Sequence, residues 1–107
     1  DLGRALREVV SAYPSDARVA VAASGGLSHF VVDEELDRGI VTAIRAGNNT
    51  VLARLPAHKL IAGSSEILNW VVAAGMVEGL ANKWIDYYPI RRTPAGTGIG
   101  VAFSAWG

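Results

Sequence analysis

Two side chains in this sequence stand in a setting that suggests they bind a metal or move a proton: His29 and Glu66. His29 closes the segment Ser24-Gly25-Gly26-Leu27-Ser28-His29, which follows a hydrophobic run, and Glu66 stands at the mouth of a strongly apolar helical stretch. Imidazole and carboxylate are common ligands of divalent first-row metals and common general acids and bases. So placed, they suggest a metal enzyme. Each also has a plainer reading. A histidine after a Gly-Gly turn can be a hydrogen-bonded structural residue. Glu66, three residues after Gly63, can complete a helix start in the manner of a capping box without its Ser/Thr, and spacing alone favours that reading. His58, in Leu55-Pro56-Ala57-His58-Lys59, would complete a triad with His29 and Glu66, but its loop context and the adjacent lysine favour a solvated imidazole.

The elements that must position these groups alternate between helix and strand. Leu2, Leu6, Val9, Val10 and Tyr13 recur at helical spacing, and Pro14 ends that helix. Arg18 to Ser24 is a short, almost wholly apolar run ended by two glycines, the pattern of a strand buried on both faces. Leu36, Ile40, Val41 and Ile44 mark a second amphipathic helix over residues 33–46, stopped by Gly47-Asn48-Asn49. Residues 50–62 read as a helical turn and a loop around Pro56. A third helix over 64–77 carries Ile67, Leu68, Val71, Val72 and Met76 as its buried stripe. Residues 83–92 and 98–106 read as two strands joined by Thr93-Pro94-Ala95-Gly96. The expected class is α/β, a mixed central sheet flanked by helices, with residues 1–107 forming one partial domain.

Composition narrows the partners. Ten basic and ten acidic residues cancel, and no cationic cluster exceeds Arg91-Arg92, so neither nucleic acid nor a polybasic membrane contact is expected. Half the residues are hydrophobic and 19% are charged, more apolar than a small independent domain needs, so some surface is expected to face other protein. Cysteine is absent, which removes disulfides and thiolate ligands and fits a reducing, cytoplasmic setting. No apolar run is long enough to span a membrane and no secretory leader is visible.

The stretch Gly25-Gly26-Leu27-Ser28-His29, led by the run Val19 to Ala23, resembles the Gly-Gly-(Leu/Met)-Ser-His segment of the class III extradiol ring-cleavage dioxygenases, the family that includes the catalytic subunit of protocatechuate 4,5-dioxygenase. Gly63-Ser64-Ser65-Glu66-Ile67-Leu68-Asn69-Trp70, with Gly75-Met76 after it, is similar to the family's iron-ligating helix. The Tyr87-Tyr88 and Gly98-Ile99-Gly100 strands fit as well, so the resemblance covers nearly the whole chain. It implies the C-terminal half of such a domain, with Fe(II) as cofactor and a catechol-type aromatic and O2 as substrates. It implies Glu66 as the carboxylate iron ligand and His29 as an acid and base that does not bind iron. Ser28, Asn69 and Thr97 are the further candidates for the substrate site, and Trp70 is as readily core as pocket wall.

The departures shape the expectation too. The family's two iron-binding histidines precede the segment that resembles this chain, so the 107 residues alone are expected not to form the iron centre. Association with that preceding portion or with a second copy is expected. The Thr93-Pro94-Ala95-Gly96 turn carries an insertion where the protocatechuate enzyme has Ser-Asn, which points to a different catechol or to a carboxylate held by Arg91 or Arg92. The competing reading is a non-catalytic binding or signalling relative of the same fold.

Overall fold

A computed structural model describes all 107 residues. It contains helices α1 (Leu2–Ala12), α2 (Glu34–Ala46), α3 (Asn49–Ala53) and α4 (Ile67–Met76), and strands β1 (His29–Val31), β2 (Asn82–Arg91) and β3 (Thr97–Trp106). Two 3-10 turns, Ala57–Lys59 and Ala62–Glu66, lead into α4. The fold is mixed α/β, as expected. Its sheet has the order β1-β3-β2, antiparallel throughout. His29 pairs with Ile99 and Val31 with Thr97, while Tyr87 pairs with Ala102.

Helix α2 shows how sequence dictates an element here. The Asp33 side chain accepts the Leu36 amide at 3.0 Å, Glu34, Glu35 and Asp37 occupy the first turn, and Arg45 the last. Acids at the start and a base at the end complement the helix dipole. Its apolar face then packs Leu36, Ile40 and Ile44 against Leu27, Leu52, Ile67, Trp70, Ile85 and Ala102. Leu27, Ile40 and Ile67 are fully enclosed. Each such burial is worth roughly 1.5–3 kcal/mol. Two of these anchors flank the candidate chemistry in sequence, Leu27 before His29 and Ile67 directly after Glu66, so the core fixes the backbone on both sides of the site.

Three expectations about elements change. Residues 18–24 form no strand: they pair with no strand of the chain, and Val19 is 62% exposed. A run built to be buried on both faces needs neighbours on both edges, and none of the three strands lies beside it. The apolar stripe of α1 likewise faces outward, with Val9 and Tyr13 exposed and only Gly3 buried, against α4. The helix expected from residue 64 is a 3-10 turn until Glu66, and α-helix begins at Ile67. These uncovered surfaces give the chain an elongated outline of 52 × 25 × 20 Å.

Candidate active site

The segment before β1 is held by an unbroken row of donors. Four successive backbone amides find four different acceptors: Gly26 donates to Glu66 Oε2 at 2.8 Å, Leu27 to the Gly100 carbonyl at 2.8 Å, Ser28 to Asp37 Oδ1 at 2.9 Å and His29 to Ser64 Oγ at 2.8 Å. The Gly100 amide returns a bond to the Ser28 carbonyl. Helix α2, strand β3 and the turn before α4 therefore all grip the same four residues. Further bonds hold the approach: Asn69 Nδ2 donates to the Ser24 carbonyl and Trp70 Nε1 to the Gly25 carbonyl.

His29 and Glu66, 37 positions apart in sequence, meet at the end of this row. His29 Nε2 lies 3.2 Å from Glu66 Oε2, an ion pair when the ring carries both protons. His29 Nδ1 lies 2.8 Å from the Leu27 carbonyl, which can only accept, so Nδ1 carries a proton and Nε2 is the atom free to exchange one. The imidazole is 18% exposed and the Glu66 side chain 45%, so the pair opens to solvent on one side while the core supports the other.

The capping reading of Glu66 does not hold. Glu66 occupies the N-cap of α4 but makes no side-chain cap bond, and its carboxylate turns away to Gly26 and His29. The support for its charge thus comes from the Gly26 amide of the turn rather than from the amides of α4.

The other candidates scatter. Ser28 is buried and its hydroxyl donates to Asp37 Oδ2 at 2.6 Å while accepting the Asp33 amide at 2.9 Å, so it works inward. Asn69 and Trp70 tie the 24–25 backbone to α4. The Thr97 hydroxyl is engaged with Thr93 across the β2–β3 turn. His58 lies exposed in the first 3-10 turn and bonds to neither His29 nor Glu66. Arg91 is committed to Glu34 at 2.5 Å, whereas the Arg92 side chain makes no hydrogen bond.

Sequence reading missed Asp37. Its carboxylate is wholly buried and accepts from the Ser28 amide, the Ser28 hydroxyl and, at 2.7 Å, the Tyr87 hydroxyl. Burial first, and then this carboxylate, push the Tyr87 phenol well above its ordinary value, which keeps it a donor. The clue was available: an acidic residue on the Leu36-Ile40-Ile44 face of α2 is out of place unless donors meet it.

As a metal centre the set falls short. No group of three or more His, Cys, Asp or Glu residues converges anywhere in the chain, and His29 with Glu66 makes only two donors. A two-histidine, one-carboxylate iron site needs ligands that these residues do not supply. A groove of about 880 Å³ lies beside residues 19–25 between Trp70, Trp84 and Phe103 and includes neither His29 nor Glu66.

Residues 1–101 are matched by the family described as the catalytic LigB subunit of aromatic ring-opening dioxygenase, and the chain belongs to that family. Among individual proteins it is similar to gallate dioxygenase of Pseudomonas putida, 28% identical over 92% of this chain and 31% of that protein. The chain thus spans about a third of the length of this curated relative. No solved structure matches it.

Proposed function

We propose that this chain is the part of an extradiol ring-cleaving dioxygenase domain that supplies the acid/base residue, His29, and one carboxylate iron ligand, Glu66. The observation that carries the reading is the 3.2 Å approach of His29 Nε2 to Glu66 Oε2, from two segments that resemble the family's motifs and lie within the residues that the family matches. The substrate class is a catechol-type aromatic, opened next to its hydroxyl pair by O2. Fe(II), held by Glu66 and by two ligands from outside these residues, would supply the open coordination positions that both substrates need.

The work of this chain's own residues follows from the geometry. The Leu27 carbonyl holds the Nδ1 proton, so a catechol hydroxyl brought to Nε2 meets an acceptor. Nε2 takes that proton as the substrate becomes an anion and returns it to oxygen as the ring opens, which balances the proton over a turnover. A positioned acid/base of this kind contributes about 10²- to 10⁴-fold in rate. Glu66, beside it, holds an anionic oxygen with one lone pair already occupied by the Gly26 amide, which limits how its carboxylate can turn. Arg92 is the available cation if the catechol carries a carboxylate, since Arg91 is already paired with Glu34.

The test is catechol-dependent O2 uptake, after anaerobic Fe(II) loading, by this chain and by a polypeptide that carries it within a complete domain. Turnover is expected only in the complete domain, and His29→Ala should lower it by at least about 10²-fold. Undiminished turnover in His29→Ala would remove the acid/base role. A complete domain that binds no iron and consumes no O2 would favour the non-catalytic relative.

A further inference from the structure

The geometry points to Asp37 as the positioning residue of His29. The assignment rests on the reading of His29 as the acid/base and adds the group that sets where its ring stands. Asp37 never touches the imidazole; it acts through Ser28.

Three observations carry the argument. Asp37 is 0% exposed, yet its carboxylate is met only by donors: the Ser28 amide on Oδ1, and the Ser28 and Tyr87 hydroxyls on Oδ2. A buried carboxylate is costly unless its lone pairs are filled, so its presence in the face of α2 needs a compensating role. Next, two of those three donors belong to one residue, Ser28, the immediate neighbour of His29. Oδ1 fixes its backbone and Oδ2 its side chain, and the same hydroxyl accepts the Asp33 amide at the start of α2. Ser28 is therefore clamped to the first turn of a helix packed into the core. Finally, the bond that orients the imidazole, Nδ1 to the Leu27 carbonyl, spans Ser28, so its geometry is set by the backbone angles of that residue.

The arrangement leaves no slack opposite α2. Gly100 faces the carboxylate so closely that a Cβ there would stand 2.0 Å from Asp37 Oδ2 and 3.2 Å from Ser28 Oγ. Only glycine admits the carboxylate at this point of β3. Of the four amides that hold the turn, the one beside His29 on its N-terminal side is thus the one tied to a fully buried charge, and the other three go to a strand carbonyl and to two partly exposed side chains.

The chain has two histidines, which makes the test direct. Ring-nitrogen NMR at pH about 8.5, above the ordinary imidazole range of about 6.5, distinguishes a ring locked as the Nδ1–H tautomer from one that samples both. In the parent chain His29 should read as locked and His58, exposed in its turn, as averaging. Asp37→Ala should move the His29 signature to that of His58. Asp37→Asn, which keeps one acceptor oxygen, should rescue it in part. Tyr87→Phe removes a donor from Asp37 but leaves both Ser28 bonds, and should leave His29 locked. If Asp37→Ala does not fold, Ser28→Ala joins Asp37→Asn in its place, and a shift of His29 in both is expected.

A folded Asp37→Ala with His29 still locked would overturn the assignment, as would a Tyr87→Phe effect as large as that of Asp37→Ala, because the network would then act as bulk packing. Failure of the acid/base reading looks different. In that case His29→Ala leaves turnover of the complete domain intact while the tautomer signature still follows Asp37. With both correct, Asp37→Asn in the complete domain lowers kcat and leaves KM within about twofold, since proton transfer and not substrate binding depends on the ring's placement.

Discussion

Gly63 lies against the side chain of His29 so closely that a Cβ at position 63 would stand 2.7 Å from His29 Cβ and 2.8 Å from Cγ. The turn before α4 therefore walls in the imidazole as well as binding its amide through Ser64. Gly63→Ala should force the ring aside, since a Cβ at these distances overlaps the His29 side chain. Overpacking of this kind costs roughly 1–3 kcal/mol. Urea unfolding reads that loss, and cross-peaks between the His29 ring and residue 63 read the displacement. An alanine accommodated without change in either would mean that the two segments are not in contact.

Acid should loosen the site from the α2 side. The Leu36 amide, and then Lys59 at 3.1 Å, hold the Asp33 carboxyl below the usual aspartate range. A depressed carboxyl contributes stability that is fully present above the unfolded value, near 3.9, and is lost as pH falls through the folded value. Stability should accordingly be flat from neutral pH to about 5 and decline below about 4. Asp33→Asn keeps the cap but removes the titration, so it should flatten that decline at a cost of at most a few tenths of a kcal/mol at pH 7. Asp33→Ala, which removes the cap, should cost about 0.5–2 kcal/mol at neutral pH. Thermal unfolding across pH 3–7 separates the two; an acid limb unchanged in Asp33→Asn would assign the loss to other carboxylates.

The parts of the fold legible in the sequence are those whose partners lie within it. Helix α2 carries its cap, its dipole charges and its apolar face in one stretch, and β2 and β3 face each other across a short turn, so local pattern suffices for both. Residues 18–24 failed because a buried-strand pattern says that neighbours exist without saying where they are, and no strand of this chain is beside them. The His29–Glu66 contact came from the resemblance, since nothing in a spacing of 37 positions brings two residues together. Resemblance also set Glu66 against the capping reading that spacing favoured, and the Glu66 side chain makes no cap bond. Asp37 escaped because its signal is a charge on the apolar face of a helix, not a reactive group beside a glycine turn.

The uncovered apolar run makes a prediction about association. The backbone of residues 18–24, unpaired and carrying exposed Val19 and Val21, is a template for pairing with another chain. The 107-residue chain by itself should sediment with a concentration-dependent coefficient. Val19→Lys with Val21→Lys should shift it towards monomer without loss of helix content by circular dichroism, because neither side chain belongs to the enclosed core. A coefficient independent of concentration in the parent chain would mean that the edge is already covered.

Glu66→Gln separates a structural carboxylate from a functional one. As a cap of α4, Glu66 would lose about 0.5–2 kcal/mol of stability on replacement. In the observed arrangement it caps nothing, and glutamine retains an oxygen for the Gly26 amide, so the expected change in stability lies within about 0.5 kcal/mol. What glutamine cannot retain is the charge that faces His29 and that a divalent metal requires of its oxygen ligand. Within a complete domain the variant should keep its helix content and its unfolding midpoint yet lose iron on dialysis, and with it O2 uptake. If it unfolds more easily and keeps its iron, Glu66 belongs to the scaffold and the ligand must be sought elsewhere. Because stability and metal content move in opposite ways under the two readings, a single preparation measured twice decides between them.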